Sequence, residues 1–269
     1  MGRERSMPPL ITAETAQAIL GGRLKVSLDL GLSLVDVSAD ERGVRLPGGF
    51  TVGFEDLKRV AGRGDSVFFS EGGSLCQVAV WDGRFYRLLS TAGAPTVEID
   101  GVRMHRTKGV TPDVDARMKV EALGIGGGRV LDTCTGLGYT AIASLRCGGE
   151  LVVSIELRPP IIRIAEINPW SAGLFGDERV HVILGDAYHV VDALPEGFFD
   201  YVVHDPPRLA HAGLLYGGEF YRRVRRVLRE GGGIFHYTGE PGSRYRGVDL
   251  RRGVMRRLGL AGFGRLRYH

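Results

Sequence analysis

Residues 128–145 read GRVLDTCTGLGYTAIASL, and the pattern of this segment predicts three successive structural elements. The apolar pair before Asp132 is too short for a helix and predicts a buried strand that ends at the acid. Gly136 and Gly138 predict a tight turn, and 139–146 have the composition of a helix. A strand, a glycine turn and a helix in this order aim free backbone N–H groups at a bound ligand.

Asp132 distinguishes between the ligands that use such a turn. The segment from Gly136 to Ala141 fits the GxGxxA pattern of dinucleotide enzymes, but a chain with 41 glycines produces that pattern easily by chance. Asp132 lies four residues before the first glycine, where a carboxylate would repel a pyrophosphate and would suit a cationic or amine-bearing ligand. The stretch resembles motif I of the class I S-adenosylmethionine-dependent methyltransferases. That resemblance implies S-adenosylmethionine as the cofactor, bound by Asp132, Thr133, Gly136 and Gly138.

Composition excludes several classes of protein. The chain has 269 residues, 43% of them apolar, and no apolar run approaches the length of a membrane span. The N-terminus lacks the apolar segment of a signal peptide, so we predict a cytoplasmic protein that does not associate with membranes. The three cysteines form no CxxC pair, which argues against a disulfide framework and against a zinc site, and we predict no metal ligands.

The chain divides by pattern into two parts. Residues 1–104 predict a small strand-rich N-terminal domain, and 105–269 predict the catalytic domain. Helices are expected at 12–20 and 54–61. The short strands expected in the N-terminal part are 24–30, 32–37, 44–46, 66–69, 76–81, 85–89 and 96–99, separated by turn signals such as Asp82-Gly83 and Asp100-Gly101.

From Gly128 onward, predicted strands and helices alternate, which is typical of a parallel sheet covered on both faces. The fold class is therefore α/β with a doubly wound sheet, and the resemblance implies the Rossmann-like sheet of a class I methyltransferase. Glu156 closes the second strand, and its two carboxylate oxygens can accept both hydroxyls of a ribose. Asp186 closes the third strand, where the resemblance implies contacts with the adenine amine and, through the next backbone N–H, the adenine ring. With their neighbours, Leu157 and Ala187, these acids complete the predicted cofactor site.

The chemistry-bearing stretch is Asp205-Pro206-Pro207-Arg208, at the end of a strand predicted over 198–204. Two prolines there indicate a rigid loop at the sheet edge. An exocyclic base amine is a poor nucleophile because its lone pair is delocalised into the ring. If Asp205 and the Pro206 carbonyl accept its two N–H bonds, the lone pair can face a methyl group.

This stretch resembles motif IV of the amino-methyltransferases, (N/D/S)PP(Y/F/W), with Arg208 in place of the aromatic residue. The missing ring, which stacks on the target base in that family, must be replaced by Arg208 itself or by another side chain. The aromatic and imidazole candidates are Tyr216, Phe220, Tyr221, His236 and Tyr237.

The C-terminal part is rich in arginine. Residues 219–269 contain thirteen Arg, no Lys and four acidic residues, which is compatible with RNA but also with a genome that encodes Arg at solvated positions. A helix is expected at 218–230, a strand at 234–238, a turn at 239–242, a helix at 248–258 and a final strand at 262–268. Arg222, Arg226, Arg251 and Arg252 are the candidate phosphate contacts.

The segments HRTKG (105–109), DTCTGLGYTA (132–141), NPWS (168–171), HDPPR (204–208) and HYTGEPG (236–242) together resemble a group of archaeal predicted methyltransferases. We therefore expect an S-adenosylmethionine-dependent N-methyltransferase that modifies an exocyclic base amine of structured RNA, rRNA or tRNA, with cytosine N4 marginally favoured. Alternatives on the same fold are a protein side-chain N-methyltransferase and an aminopropyltransferase. A nicotinamide-dependent oxidoreductase and an RNA-binding scaffold are the alternatives of another class. The sequence leaves the oligomeric state open.

Overall fold

A computed structural model of the chain describes residues 7–71, 74–239 and 249–269. Their contacts divide the chain into two compact units. Unit 1 runs to Asp113 and includes the later segment Pro160–Gly173, and unit 2 contains Val114–Pro159 and the residues from Leu174. The domain boundary at residue 104, expected from the sequence, stays a prediction.

Unit 1 is built from short antiparallel strands and two helices. Its elements are β1 (Leu10–Ile11), α1 (Ala13–Leu20), β2 (Lys25–Val26), β3 (Val35–Asp36), β4 (Ser38–Asp40), β5 (Gly43–Arg45), β6 (Thr51–Val52), α2 (Phe54–Ala61), β7 (Phe68–Glu71), β8 (Ser74–Gln77), β9 (Ala79–Trp81), β10 (Phe85–Leu89), β11 (Thr96–Ile99) and β12 (Val102–Arg103). The strand-rich character expected of the N-terminal part is confirmed.

Local signals fixed several of these elements. The hydroxyl of Thr12 accepts a hydrogen bond from the N–H of Thr15 and so caps α1, as its position before an apolar pattern predicts. Asp100 and Gly101 both have positive φ, 48° and 83°, which is the geometry of the two-residue turn expected between β11 and β12. The later segment belongs with this unit, since the indole N–H of Trp170 donates to the carbonyl of Leu30.

The rest of the chain alternates between helices and parallel strands. In order, these are α3 (Pro112–Leu123), β13 (Arg129–Asp132), α4 (Tyr139–Arg146), β14 (Leu151–Glu156), α5 (Pro159–Ile167), α6 (Ala172–Gly176), β15 (Val180–Leu184), α7 (Ala187–Ala193), β16 (Phe199–His204), α8 (Gly218–Val227), β17 (Leu228–His236) and α9 (Leu250–Leu260).

The five strands of unit 2 lie in the order β15-β14-β13-β16-β17, and every neighbouring pair is parallel. The chain moves from β13 towards one edge, then returns to the other side of β13 with β16. Because parallel crossovers are right-handed, α4 lies on one face of the sheet and α7 and α8 lie on the other. A crevice therefore opens beyond the carboxyl ends of β13 and β16, where the strand order reverses. The predicted doubly wound fold is confirmed.

One predicted strand is wrong. The segment expected to form a last strand, 262–268, has no strand structure. The N–H of Phe263 bonds back to the carbonyl of Leu258 and closes the end of α9, and Gly262 and Arg265 have positive φ, 92° and 52°, which an extended strand cannot contain. Phe263 and Leu266 pack instead against the core of unit 2.

The remaining C-terminal predictions differ from the structure mainly in their bounds. The expected helix 218–230 ends at Val227, and the expected strand 234–238 begins earlier, at Leu228. Most of the expected turn 239–242 and residue 248 of the expected helix lie outside the described residues. No helix in the described part of the chain combines the length and apolar character that a membrane span requires.

Candidate active site

The glycine turn after β13 is a left-handed turn that opens α4. Gly136 and Gly138 have φ of 54° and 81°, and Gly138 is the N-cap residue of the helix. A Cβ atom at position 138 would lie 2.8 Å from the side chain of Leu174, so both the conformation and the close approach require glycine. The turn thus places the N-terminus of α4 at the crevice, as the sequence predicts.

Asp132 is fully buried at the end of β13. Its Oδ2 accepts hydrogen bonds from the hydroxyls of Thr140 (3.1 Å) and Ser154 (2.8 Å), while Oδ1 finds no hydrogen-bond donor within the described residues. Burial raises the pKa of Asp132 to about 6, although the two hydroxyl bonds act in the opposite direction. A buried carboxylate oxygen without a donor is a site for a ligand that carries a donor or a positive charge.

Glu156 closes β14 and joins it to the glycine turn. Its Oε2 accepts the N–H of Gly136 (2.9 Å), and its Oε1 accepts the N–H of Arg158 (2.8 Å). Burial raises the pKa of Glu156 to about 7, which these backbone bonds only partly offset. Both oxygens keep further lone pairs, so the fixed carboxylate can still accept two hydroxyl groups.

Apolar side chains lie beside this acid. Leu157 follows Glu156 and is 52% exposed, and Leu184, which pairs with Glu156 across the β14–β15 register, is 56% exposed. Large aliphatic side chains this open to solvent at the ends of two neighbouring strands can cover a flat ring.

Asp186 lies at the end of β15 and caps α7. Its Oδ1 accepts the N–H of Tyr188 at 2.9 Å, which is the usual contact of an N-cap residue. Ala187 is the first residue of that helix, where N–H groups have no partner within the helix. The cap fixes the direction of the Asp186 side chain, and its predicted contact with an adenine stays a prediction.

Thr133 points into the sheet. Its hydroxyl bonds to Nδ1 of the buried His204 (2.6 Å), and its N–H donates to the carbonyl of Val203 (3.1 Å). Because Nε2 of His204 must donate to the carbonyl of Leu215 (3.0 Å), Nδ1 accepts from the threonine and the ring is neutral. Burial accordingly lowers the pKa of His204 to about 4. Thr133, which the sequence predicts as a cofactor contact, therefore uses its hydroxyl and its N–H to link β13 to β16.

The acids of three strand ends act on one another. Burial raises the pKa of the partly buried Cys134 thiol, and the charges of Glu156, Asp132 and Asp205 raise it further. The charge of Asp205 also raises the pKa of Asp132. Because the carboxyl ends of β13, β14 and β16 are adjacent in the parallel sheet, Asp132, Glu156 and Asp205 lie at one end of it, here called the acidic pocket, and Cys134 is a protonated thiol beside them.

Asp205 is held by a lysine from α3. Nζ of Lys119 lies 2.6 Å from Oδ2 of Asp205 and 2.7 Å from Oδ2 of Asp115, and it lies over the ring of Tyr237 at 4.3 Å from the centroid. Burial disfavours the ammonium, but the two carboxylates outweigh that effect and raise the pKa of Lys119. The lysine is therefore a permanent cation in the pocket.

Two hydrogen bonds hold the proline loop, one directly and one through Tyr216. The hydroxyl of Tyr216 donates to the carbonyl of Pro207 (3.0 Å), and Arg257 donates to the carbonyl of Tyr216 (2.8 Å). Pro206 is buried, whereas Arg208 is exposed. The loop thus has the rigidity expected from its two prolines, and Arg208 faces solvent beside Asp205.

Burial separates the ring candidates that the sequence leaves open. Tyr216, Phe220 and Tyr221 are at most 4% exposed and belong to the core of unit 2. His236 accepts from the hydroxyl of Tyr221 (2.9 Å) and donates to a carbonyl (3.0 Å), and burial lowers its pKa. Tyr237 is half-buried, and its N–H donates to the carbonyl of His204, the residue before Asp205. Tyr237 is thus the candidate ring placed beside the acid.

Sequence reasoning missed Lys119 and Asp115 as parts of this site. Their spacing of four residues, which places two side chains on one face of a helix, was a signal of a side-chain pair visible in the sequence. The contact with Asp205, 86 residues away, had no such signal. Within the described ranges, no three His, Cys, Asp or Glu side chains are grouped so as to hold a metal ion.

Comparison with known proteins gives the family of the chain. No protein-family model matches it. The uncharacterized protein MJ1233 of Methanocaldococcus jannaschii is 42% identical over 261 residues, which cover 94% of this chain and 89% of that protein. The chain belongs to the MJ1233 family. The archaeal group expected from the sequence therefore has a named member, MJ1233. Its name states no activity.

Two weaker similarities are to a polyamine aminopropyltransferase and to a spermidine synthase. Polyamine aminopropyltransferase 2 of Streptomyces coelicolor is 34% identical over 139 residues, which cover 49% of this chain and 25% of that protein. A crystal structure of spermidine synthase in complex with the transition state analogue AdoDATO has a TM-score of 0.59 and 18% identity, covering 68% of this chain and 64% of that one. The chain spans a quarter of the first protein and under two thirds of the second, and the structural likeness shows a shared fold.

Proposed function

We propose that the chain is an S-adenosylmethionine-dependent transferase that alkylates a nitrogen atom. When bound, the cofactor supplies an alkyl group on a sulfonium, which is a cation without a phosphate. The residues fit it: Asp132 offers a buried oxygen to the charged methionine end, Glu156 offers two oxygens to the ribose, and the Gly136–Gly138 turn leaves room for close approach. Asp186 with Ala187 would hold the adenine, which Leu157 would cover.

The observation that carries the proposal is the position of Asp205. It follows β16, directly across the strand-order reversal from Asp132, and its carboxylate is fixed by Lys119 within a loop held by two prolines. A fixed acceptor next to a sulfonium site orients a nitrogen nucleophile before the alkyl group is transferred, and the nitrogen releases its proton after the transfer. This arrangement is suited to a weakly nucleophilic amine that needs alignment more than deprotonation.

We propose further that the acceptor is an exocyclic base amine of structured RNA, rRNA or tRNA, with cytosine N4 slightly ahead of guanine N2 and adenine N6. Asp205 and the Pro206 carbonyl would accept the two N–H bonds of the amine. Tyr237 or Arg208 would stack on the base, as both lie beside Asp205 in the chain or in the sheet. Exposed arginines of the C-terminal part would bind phosphates, Arg252 above all, whose side chain is 86% exposed.

Aminopropyl transfer to an amine is the second candidate. Polyamine aminopropyltransferase and spermidine synthase are the names of similar proteins, and this reaction also brings a nitrogen to a sulfonium. The acidic pocket formed by Asp132, Glu156 and Asp205 would favour a cationic amine. Against it stands Lys119, which already occupies Oδ2 of Asp205.

One pair of assays distinguishes the two reactions. Purified protein is given methyl-labelled S-adenosylmethionine with total RNA from a strain that lacks the gene, and decarboxylated S-adenosylmethionine with a set of di- and triamines. We expect label in RNA, located by mass spectrometry of nucleosides, and no extension of the amines. Extended amines with unlabelled RNA would establish the second candidate. Neither product, with cofactor bound, would contradict both and favour a protein side chain.

A further inference from the structure

The ammonium of Lys119 lies in a site, here called the receptor, whose groups are suited to bind an alkylammonium ion. Two carboxylates, Asp115 and Asp205, approach it at 2.7 and 2.6 Å, and the face of Tyr237 covers it at 4.3 Å. Two charge-assisted bonds and a cation–π contact are what a protein uses to bind a primary alkylammonium. In this chain the occupant is one of its own side chains, and only 11% of that side chain is exposed.

The same receptor touches the place where the acceptor nitrogen would bind. Exposure of the three side chains rises from 8% at Asp115 through 11% at Lys119 to 20% at Asp205, so the outermost member is the proposed nitrogen acceptor. Any nitrogen that bonds to Asp205 therefore shares that carboxylate with the ammonium of Lys119. A neutral amine can do so, whereas a second cation would meet like-charge repulsion in a poorly solvated pocket.

We propose that Lys119 is a specificity-determining residue that restricts the acceptor to neutral nitrogens and excludes protonated alkylamines. This inference rests on the proposed function, since it assumes that Asp205 holds the acceptor nitrogen. Lys119 acts in two ways: it fixes the Asp205 carboxylate as a hydrogen-bond acceptor, and it fills the position that a substrate ammonium would take. A chain with these carboxylates but without the lysine would be a receptor for alkylammonium ions.

Binding of 1,4-diaminobutane, measured by calorimetry at pH 7.5 without cofactor, tests the proposal. The wild-type protein should show no binding at millimolar concentrations. Lys119→Ala empties the receptor and should bind the diamine at least tenfold more tightly. Lys119→Arg keeps a cation and should behave as the wild type, and Lys119→Ala with Asp115→Asn should lose the gain because one of the two carboxylate charges is gone. If Lys119→Ala does not fold, Lys119→Leu takes its place, because its shorter apolar side chain leaves the ammonium position open.

Two results would overturn the proposal. One is binding of the diamine by the wild-type protein with an affinity within threefold of the variant. The other is a Lys119→Ala or Lys119→Leu protein that is folded, as shown by a cooperative thermal transition, and that gains no affinity. A merely structural lysine would give that second result. Failure of the proposed function would instead appear as absent cofactor binding or absent transfer by the wild type, and the diamine titration uses neither.

Discussion

Asp205 and Glu156 both end a parallel strand, but their partners give them different tasks. Glu156 accepts the N–H of Gly136 in the glycine turn and the N–H of Arg158, and Asp205 is bonded to the ammonium of Lys119 on a loop fixed by prolines. The first arrangement builds a binding site into the sheet. The second presents a carboxylate to whatever enters the crevice. The two acids should therefore separate cofactor binding from catalysis when they are changed one at a time.

Asp205→Ala should lower turnover by about a hundredfold, the usual scale for losing one preorganised contact to the reacting group. Affinity for S-adenosylmethionine should stay nearly unchanged, because the other acids hold that ligand. Asp205→Asn should keep more activity than Ala, since its carbonyl still accepts one N–H. The measurements are single-turnover transfer into RNA and calorimetry of the cofactor.

Asp200 supplies a matched control on the same strand. It pairs with Arg229 and accepts the N–H of Arg129, away from the carboxyl end of the sheet. Asp200→Ala should lower stability and leave the turnover of the folded protein near that of the wild type. Full activity in Asp205→Ala would show that the acceptor nitrogen is not held there.

Cofactor affinity should rise between pH 6 and pH 8. Burial raises the pKa of Glu156 to about 7 and that of Asp132 to about 6, so both carboxyls are partly protonated at the lower pH. Only the ionised forms accept hydroxyl bonds fully and attract a cation, and binding must then release protons. The change is at most about tenfold per pH unit for each proton released. Calorimetry at both pH values measures it, and Glu156→Gln should flatten the dependence.

Protein stability should change with pH in the opposite direction. The folded-state pKa of Glu156 lies above its ordinary value of 4.5, so the folded protein binds more protons than the unfolded chain between about pH 4.5 and 7. The free energy of unfolding contributed by this group therefore falls as pH rises through that window.

A cofactor affinity that is equal at pH 6 and pH 8 would contradict the assignment of Glu156 to the ribose.

At the scale of elements, agreement between sequence and structure follows the range of the interactions. The helices α2 and α4 and the strands β10 and β11 have the predicted bounds, because local spacing of apolar residues and turn residues determines them. The two-residue strands β2 and β3 are shorter than the predicted runs, since pairing with a partner strand sets their length. The expected last strand failed because the end of α9 bonds back on itself.

Gly138→Ala should destabilise the protein more than an alanine at another glycine of the same conformation. Gly138 and Gly124 both have left-handed φ, 81° and 70°, which costs an alanine about 1–2 kcal/mol. A Cβ at 138 also meets the side chain of Leu174, whereas nothing lies within 4 Å at 124. We expect an additional overpacking cost of about 1–3 kcal/mol at 138 only. Urea denaturation of both variants measures it, and equal losses would show that the turn can relax.

At the scale of the whole molecule, the sequence predicted the acids of the site because the carboxyl ends of parallel strands share one edge of a sheet. The fold, the glycine turn and the strand-end positions of Asp132, Glu156 and Asp205 follow from that rule. Lys119 could not be placed, since its contact with Asp205 depends on how α3 packs. The partners of individual arginines could not be predicted either, because composition does not show which arginines form hydrogen bonds inside the protein.

Two arginines make that difference testable. Arg252 is 86% exposed, whereas Arg226 donates to the carbonyls of Val191, Asp192 and Leu194 at the end of α7. If the C-terminal part binds phosphates, Arg252→Ala should reduce the slope of log affinity for RNA against log salt by about one. Arg226→Ala should lower the melting temperature and leave the slope unchanged. Salt-independent RNA affinity in the wild type would favour a protein or small-molecule acceptor.

We propose that the crevice binds a sulfonium cofactor and not a nicotinamide dinucleotide. Calorimetric titration of the wild-type protein with S-adenosylmethionine and, separately, with NADH tests it most directly. We expect S-adenosylmethionine to bind and NADH to show no binding, because the buried carboxylate of Asp132 repels a pyrophosphate. Glu156→Ala should weaken the first interaction at least about tenfold, since two hydroxyls lose a charged acceptor. Binding of NADH by a protein that does not bind S-adenosylmethionine would contradict the account.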